Sequence, residues 1–84
     1  MTAREMFEKL GYTYYKIKGS SIFRYAKTDE DGDFLFCIDF DAEFGTVAIY
    51  DRHGYNEITM KEFKSINKQL EELGWLDVNQ RRMH

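Results

Sequence analysis

The sequence predicts a small α+β domain in which two helices flank a four-stranded antiparallel meander, in the order αββββα. Capping-box patterns near both ends of the chain indicate two helix starts. The stretch between them is rich in β-branched and aromatic residues with a period of two, which is typical of strands. Short turns containing glycine separate these strands. We expect both helices to pack on one face of the sheet.

The two helices are predicted over residues 3–10 and 60–73. Each begins at a Thr-x-x-Glu pattern, in which the threonine hydroxyl and the glutamate carboxylate satisfy free amides of the first turn. Each ends at a glycine, Gly11 or Gly74, that an aromatic residue follows. One apolar stripe at helical spacing in the second helix is expected to face the core. It consists of Phe63, Ile66, Leu70 and Leu73.

The four strands are predicted over residues 13–18, 21–27, 33–41 and 46–51. The third strand alternates most clearly, so its apolar side chains should share the core face. A four-residue turn after Asp41 then sets Phe40 opposite Val47 and keeps apolar side chains together. The residues expected to be largely buried are Phe7, Leu10, Phe34, Phe36, Ile38, Phe40, Phe63, Ile66, Leu70 and Trp75.

The length of 84 residues fits one domain, which we assign to residues 1–76, with a polar tail over 77–84. No apolar run approaches the roughly 20 residues that span a bilayer, and the first residues do not resemble a signal peptide. We therefore expect a cytoplasmic protein that does not contact a membrane. A single cysteine, Cys37, forms no internal disulfide, so aromatic packing must hold the core.

The charge distribution is the clearest functional signal. Between Asp29 and Asp51 the chain carries eight acidic residues and no lysine or arginine, whereas the overall net charge is only −3. An acidic sheet face could bind a basic protein, although a solvated face that keeps the domain soluble explains the same charges. The candidate protein-binding face consists of Asp33, Leu35, Cys37, Asp39 and Asp41. Leu35 and Cys37 on an uncovered face also predict self-association.

A nucleic-acid-binding module is the alternative, because aromatics interleaved with basic residues can stack bases and contact phosphates. The residues of this alternative face are Tyr14, Lys16, Lys18, Arg24, Lys61 and Lys64. A sequence pI near 5.3 argues against it, since phosphate binding requires a segregated positive face. Aromatics that pack a sheet beneath lysine side chains account for the same pattern.

We find no pattern typical of a catalytic, cofactor or metal site. Counted from Asp29, an EF-hand loop would need glycine at Phe34 and glutamate at Phe40. No known motif brings Cys37 and His53 together as a catalytic pair, and no glycine-rich phosphate loop is present. The sequence therefore predicts a non-enzymatic protein without a cofactor.

The start of the chain, from Met1 to Tyr12, and the segments Ile58–Glu62 and Leu73–Leu76 together resemble a group of small uncharacterised proteins that phages and prophages of Gram-positive bacteria encode. That group has no established activity, so no functional residue follows from the resemblance. It implies a bacterial host and an accessory protein that binds a host or phage protein.

Overall fold

The computed structural model describes residues 1–76, and the predicted tail over 77–84 lies outside the described residues. The elements are α1 (Ala3–Lys9), β1 (Thr13–Lys16), β2 (Ile22–Thr28), β3 (Phe34–Asp41), β4 (Thr46–Asp51) and α2 (Met60–Glu72). All neighbouring strands are antiparallel, and their order in the sheet is β1-β2-β3-β4. The predicted αββββα meander is confirmed. No helix within residues 1–76 combines the length and the apolar character that crossing a membrane requires.

Both predicted capping boxes are formed. The hydroxyl of Thr2 accepts a hydrogen bond from the Glu5 amide at 3.1 Å, and the Glu5 carboxylate accepts one from the Thr2 amide at 2.8 Å. At α2 the corresponding distances between Thr59 and Glu62 are 3.1 Å and 2.7 Å. These bonds satisfy amides that the first turn of a helix leaves free.

Both helices also end as predicted. Gly11 has a φ of 94°, which a residue with a Cβ atom rarely adopts. The next residue, Tyr12, donates its amide to the carbonyl of Phe7 at 3.1 Å. Trp75 does the same to Leu70 at 3.0 Å, after α2. This bond returns the chain over the last turn of each helix and is characteristic of a Schellman motif.

The core lies between the helices and one side of the sheet, which we call the helix face. Phe7 of α1 stacks on Tyr25 of β2 with ring centroids 4.0 Å apart. Ile38 and Phe40 of β3 are fully buried beside them. Phe40 pairs with Val47, as the four-residue turn predicted.

The predicted face of Phe34 is wrong. Lys27 pairs with Phe36 but Thr28 pairs with Phe34, so Leu35 is an extra residue in β3. Such a bulge reverses the alternation of side chains before it. The Phe34 ring therefore lies on the side of the sheet opposite the helices, which we call the outer face, where it contacts the ring of Tyr15 at 5.5 Å. Leu35 instead lines a depression that Phe36 also borders.

The predicted core stripe of α2 is wrong at its first residue. Phe63 is 51% exposed, whereas Glu62, Ser65 and Gln69 are buried. The core contains tyrosine hydroxyls that need hydrogen-bond acceptors, and the buried glutamate and glutamine supply them. Tyr25 donates its hydroxyl to Gln69 at 2.6 Å. Of the other residues expected to be largely buried, Leu10, Phe36, Leu70 and Trp75 are half-buried against the core.

Candidate protein-binding surfaces

The predicted acidic face is centred on Asp39, which already has a partner within the chain. Both oxygens of Asp39 accept hydrogen bonds from the Arg24 guanidinium, at 2.6 Å and 2.8 Å. The guanidinium also lies 5.0 Å from the ring of Phe34. The two charged side chains are only 20% and 24% exposed. This bidentate geometry fixes the ion pair and leaves little of its negative charge for a basic partner.

Asp41 contributes to the chain's own turn. One of its oxygens accepts hydrogen bonds from the Ser21 hydroxyl at 2.6 Å and from the Glu43 amide at 2.9 Å. The bond from Ser21 is the main reason that the pKa of Asp41 lies below its ordinary value. This carboxylate therefore stabilises the turn between β3 and β4.

The remaining members of the predicted acidic face lie apart from one another. Cys37 is on the outer face but is only 2% exposed, and burial raises the pKa of its thiol. Leu35 borders the depression on the helix face, because of the bulge. Asp33 is exposed in the turn before β3. The structure therefore does not gather the five predicted residues into one continuous acidic surface.

The acidic turn between β2 and β3 is held by Asp29. Its carboxylate accepts hydrogen bonds from the amides of Asp31 and Asp33, at 2.9 Å and 3.0 Å. Arg52 reaches the same carboxylate at 3.0 Å. The bond from the Asp33 amide makes the largest contribution to lowering the pKa of Asp29. Among residues 1–76, no group of three His, Cys, Asp or Glu side chains is placed to hold a metal ion.

The residues of the predicted nucleic-acid face are spread over four places. Tyr14 lies on the helix face, where the Arg4 guanidinium covers its ring at 3.7 Å. Lys16 and Lys18 are exposed at the hairpin between β1 and β2. Arg24 lies on the outer face, beside Asp39. The last two predicted residues, Lys61 and Lys64, lie on α2, where both border the same surface depression.

The depression beside Lys61 and Lys64 is a groove between α1 and α2, with a volume of about 300 Å³. We call it the helix groove. Its apolar lining comes from Met1, Met6 and Leu10, and Ser65 is buried in its floor. Methionine side chains are flexible and polarisable, so such a surface adapts to the shape of an apolar ligand.

Three lysines surround the helix groove: Lys9 of α1 and Lys61 and Lys64 of α2. Within the described part of the chain, none of them lies within 4.0 Å of a carboxylate, unlike Lys68, which pairs with Glu71. The groove therefore combines apolar contact area with unpaired positive charge. The sequence pattern predicted a phosphate-binding face for Lys61 and Lys64 and gave no sign of the groove, which forms only where two distant segments meet.

A second depression, of about 380 Å³, extends from Tyr12 to the loop after β4 and contains more ionisable groups. Its most buried acid is Glu62. One oxygen of Glu62 accepts from the Thr59 amide at 2.7 Å, and the other accepts from the Tyr12 hydroxyl at 2.5 Å. Both oxygens therefore have donors within the chain, and this carboxylate links Tyr12 to the start of α2.

Comparison with models of known protein families, with curated proteins and with solved structures finds no match for this chain. The resemblance to phage and prophage proteins therefore stays a prediction.

Proposed function

We propose that this protein is a non-enzymatic binding module that holds an acidic, amphipathic protein segment in the helix groove. The unpaired lysines at its rim carry this proposal. They complement a negative charge, while Met6 and Leu10 between them can contact an apolar side chain. The sign of the partner's charge differs from the sequence expectation, because Asp39 and Asp41 are engaged within the chain.

The biological setting follows from the resemblance found in the sequence. We place the protein in the cytoplasm of a bacterial host, as a phage or prophage accessory protein that binds a host or phage protein. An amphipathic helix can bind by placing its apolar side in such a groove, and this docking requires no cofactor.

The test uses a synthetic helical peptide with leucines along one side and glutamates along the other. We expect it to shift the amide NMR signals of Met6, Lys9, Leu10 and Lys64 during titration. A peptide with lysine in place of each glutamate should leave these signals unchanged, because it repels the rim.

Charge reversal identifies the surface. The double variant Lys61→Glu/Lys64→Glu should weaken peptide binding about tenfold or more, which corresponds to about 1.4 kcal/mol. The matched control, Lys16→Glu/Lys18→Glu, changes the net charge equally but lies on the β1–β2 hairpin, so it should bind nearly as well as the unmodified protein. Equal losses in both variants, or no binding by the unmodified protein, would contradict the proposal.

The nucleic-acid alternative is tested in the same format with single- and double-stranded DNA and RNA at low salt. We expect no binding, since the chain has a net charge of −3. Micromolar affinity with a salt slope that falls by about one for each lysine removed would instead support phosphate recognition.

A further inference from the structure

Strand β4 is an edge of the sheet, and one row of its backbone groups has no partner in the sheet. Arg52 donates its amide to the carbonyl of Leu35 at 3.0 Å. In an antiparallel ladder, bonded pairs recur at every second residue, so Tyr50, Ala48 and Thr46 also bond to β3. The intervening residues, Val47 and Ile49, therefore direct their N–H and C=O groups away from the sheet.

This edge lacks the features that usually prevent edge-to-edge pairing. Residues 46–50, Thr-Val-Ala-Ile-Tyr, contain no charge and no proline, and the pairing of β4 with β3 has no bulge. Edge strands of monomeric proteins are commonly protected by lysines, prolines or bulges. The free backbone groups of β4 can therefore form hydrogen bonds with another extended segment.

Exposed aromatic side chains flank the same edge. Tyr50 is 56% exposed on the strand itself, and Phe44 is 71% exposed in the turn before it. Phe63 lies on the flank of α2 opposite Lys61, because neighbouring helical residues are about 100° apart and Glu62 between them points inward. Lys61 faces α1 across the helix groove, and α1 contacts β1. The exposed Phe63 therefore lies on the side of α2 that points away from α1.

We propose that β4 pairs with β4 of a second copy of this chain, antiparallel and with Ala48 on the two-fold axis. Val47 of each protomer then faces Ile49 of the other and exchanges two N–H···O bonds with it. Thr46 faces Tyr50 across the same axis. The two sheets join into one of eight strands, with all four helices on the same side.

The strand sequence favours this register over its neighbour. Centring the axis on Ile49 would set the apolar Val47 against the carboxylate of Asp51. It would also use the Asp51 carbonyl, which already accepts a hydrogen bond from the Gly54 amide at 2.8 Å. With Ala48 at the centre, apolar Val47 and Ile49 meet and every new bond uses a free group.

A disulfide tests the register. Across a non-hydrogen-bonded antiparallel pair the Cα atoms are about 4.5 Å apart, within the usual range for a disulfide. In a Cys37→Ala background, Ala48→Cys should become a covalent dimer under mild oxidation. Thr46→Cys is the matched control, because its two copies would lie more than about 13 Å apart and should stay unlinked. Equal cross-linking of both variants, or of neither, would overturn the proposed register.

Sedimentation tests the association itself. We expect the unmodified protein to dimerise between low and high micromolar concentration. Ala48→Lys places two like charges face to face and should weaken the dimer about tenfold or more, while the exposed position leaves the monomer folded. Thr13→Lys, at the exposed start of the opposite edge strand, should dimerise normally. A chain that stays monomeric at high micromolar concentration would refute the dimer without affecting the proposal for the helix groove.

Discussion

Tyr12 donates its hydroxyl to the buried carboxylate of Glu62 at 2.5 Å, although the two residues are 50 positions apart in the chain. The same carboxylate closes the capping box of α2 through Thr59. One side chain therefore starts a helix and also attaches it to the segment that leads into β1. A buried acid between an aromatic ring and a helix start is favourable only when both of its oxygens have donors, as they do here.

We predict that Tyr12→Phe lowers the free energy of unfolding by about 1.5–3 kcal/mol, since it leaves one oxygen of the buried Glu62 without its donor. Urea denaturation followed by the fluorescence of Trp75, the single tryptophan, measures the change. Tyr55→Phe is the matched control because Tyr55 is 75% exposed. It should change stability by less than about 0.5 kcal/mol. Similar effects in the two variants would contradict the structural role of the Tyr12–Glu62 bond.

The orientation of α2 gives a second prediction. Phe63→Ala should cost less than about 1 kcal/mol, because its side chain is half in solvent. Phe7→Ala should cost about 3–5 kcal/mol, because Phe7 is fully buried and stacks on Tyr25. Thermal or urea unfolding at concentrations where the chain is monomeric makes the comparison. If Phe63→Ala lost more stability than this, α2 would have to pack on the core through its apolar stripe, with Phe63 buried.

Alkaline pH should destabilise the fold through two buried tyrosines. Burial is the main cause that raises the pKa of Tyr25 to about 12, and it also raises the pKa of Tyr12, with help from the bond to Glu62. An unfolded tyrosine has a pKa of about 10, so the folded state binds more protons above that pH. The stabilisation is fully present below pH 10 and declines as the pH rises through about 12.

Absorbance at the wavelength of tyrosinate follows this titration directly. Tyr25 and Tyr12 should ionise late in this titration, and unfolding should accompany their ionisation. If Tyr25 and Tyr12 ionised near the ordinary pKa of tyrosine with the fold intact, the burial of these two hydroxyls would be refuted.

The ion pair on the outer face gives a fourth prediction. In a double-mutant cycle, Arg24→Met and Asp39→Asn should show a coupling free energy of about 1–2 kcal/mol, because the pair is bidentate and partly buried. Arg52 and Asp29 form a matched control pair with a single contact at 3.0 Å and more exposed side chains. Their coupling should be clearly smaller than that of Arg24 and Asp39. Equal couplings would show that burial adds nothing to the Arg24–Asp39 bond.

The parts of the fold that the sequence predicted are those that local chemistry decides. Thr59 and Glu62 identify a helix start by their spacing alone, and Gly11 and Gly74 identify helix ends by the backbone angles they permit. The pairing of Phe40 with Val47 followed from the length of one turn. Each of these inferences needed only a few neighbouring residues.

The errors arose where distant segments decide the outcome. Phe34 changes face because of one extra residue in β3, and alternation alone cannot count a bulge. In α2 a stripe centred on Glu62 and Gln69 competes with one centred on Phe63 and Leu70. Hydrophobicity favours the second, but the hydroxyls of the facing tyrosines favour the first. The carboxylate of Asp39 likewise contacts Arg24 from another strand, so its charge could not be assigned to the surface from sequence.

Hydrogen bonds between the two ends of the described chain have a consequence for synthesis on the ribosome. Ala3, at the start of α1, donates its amide to the carboxylate of Glu72, 69 positions later. The buried hydroxyl of Tyr25 likewise depends on Gln69. A nascent chain that has exposed all four strands therefore still lacks one of the two helices that pack over its aromatic core. We expect stable folding only after α2 leaves the exit tunnel, so the incomplete chain is the form most in need of a chaperone.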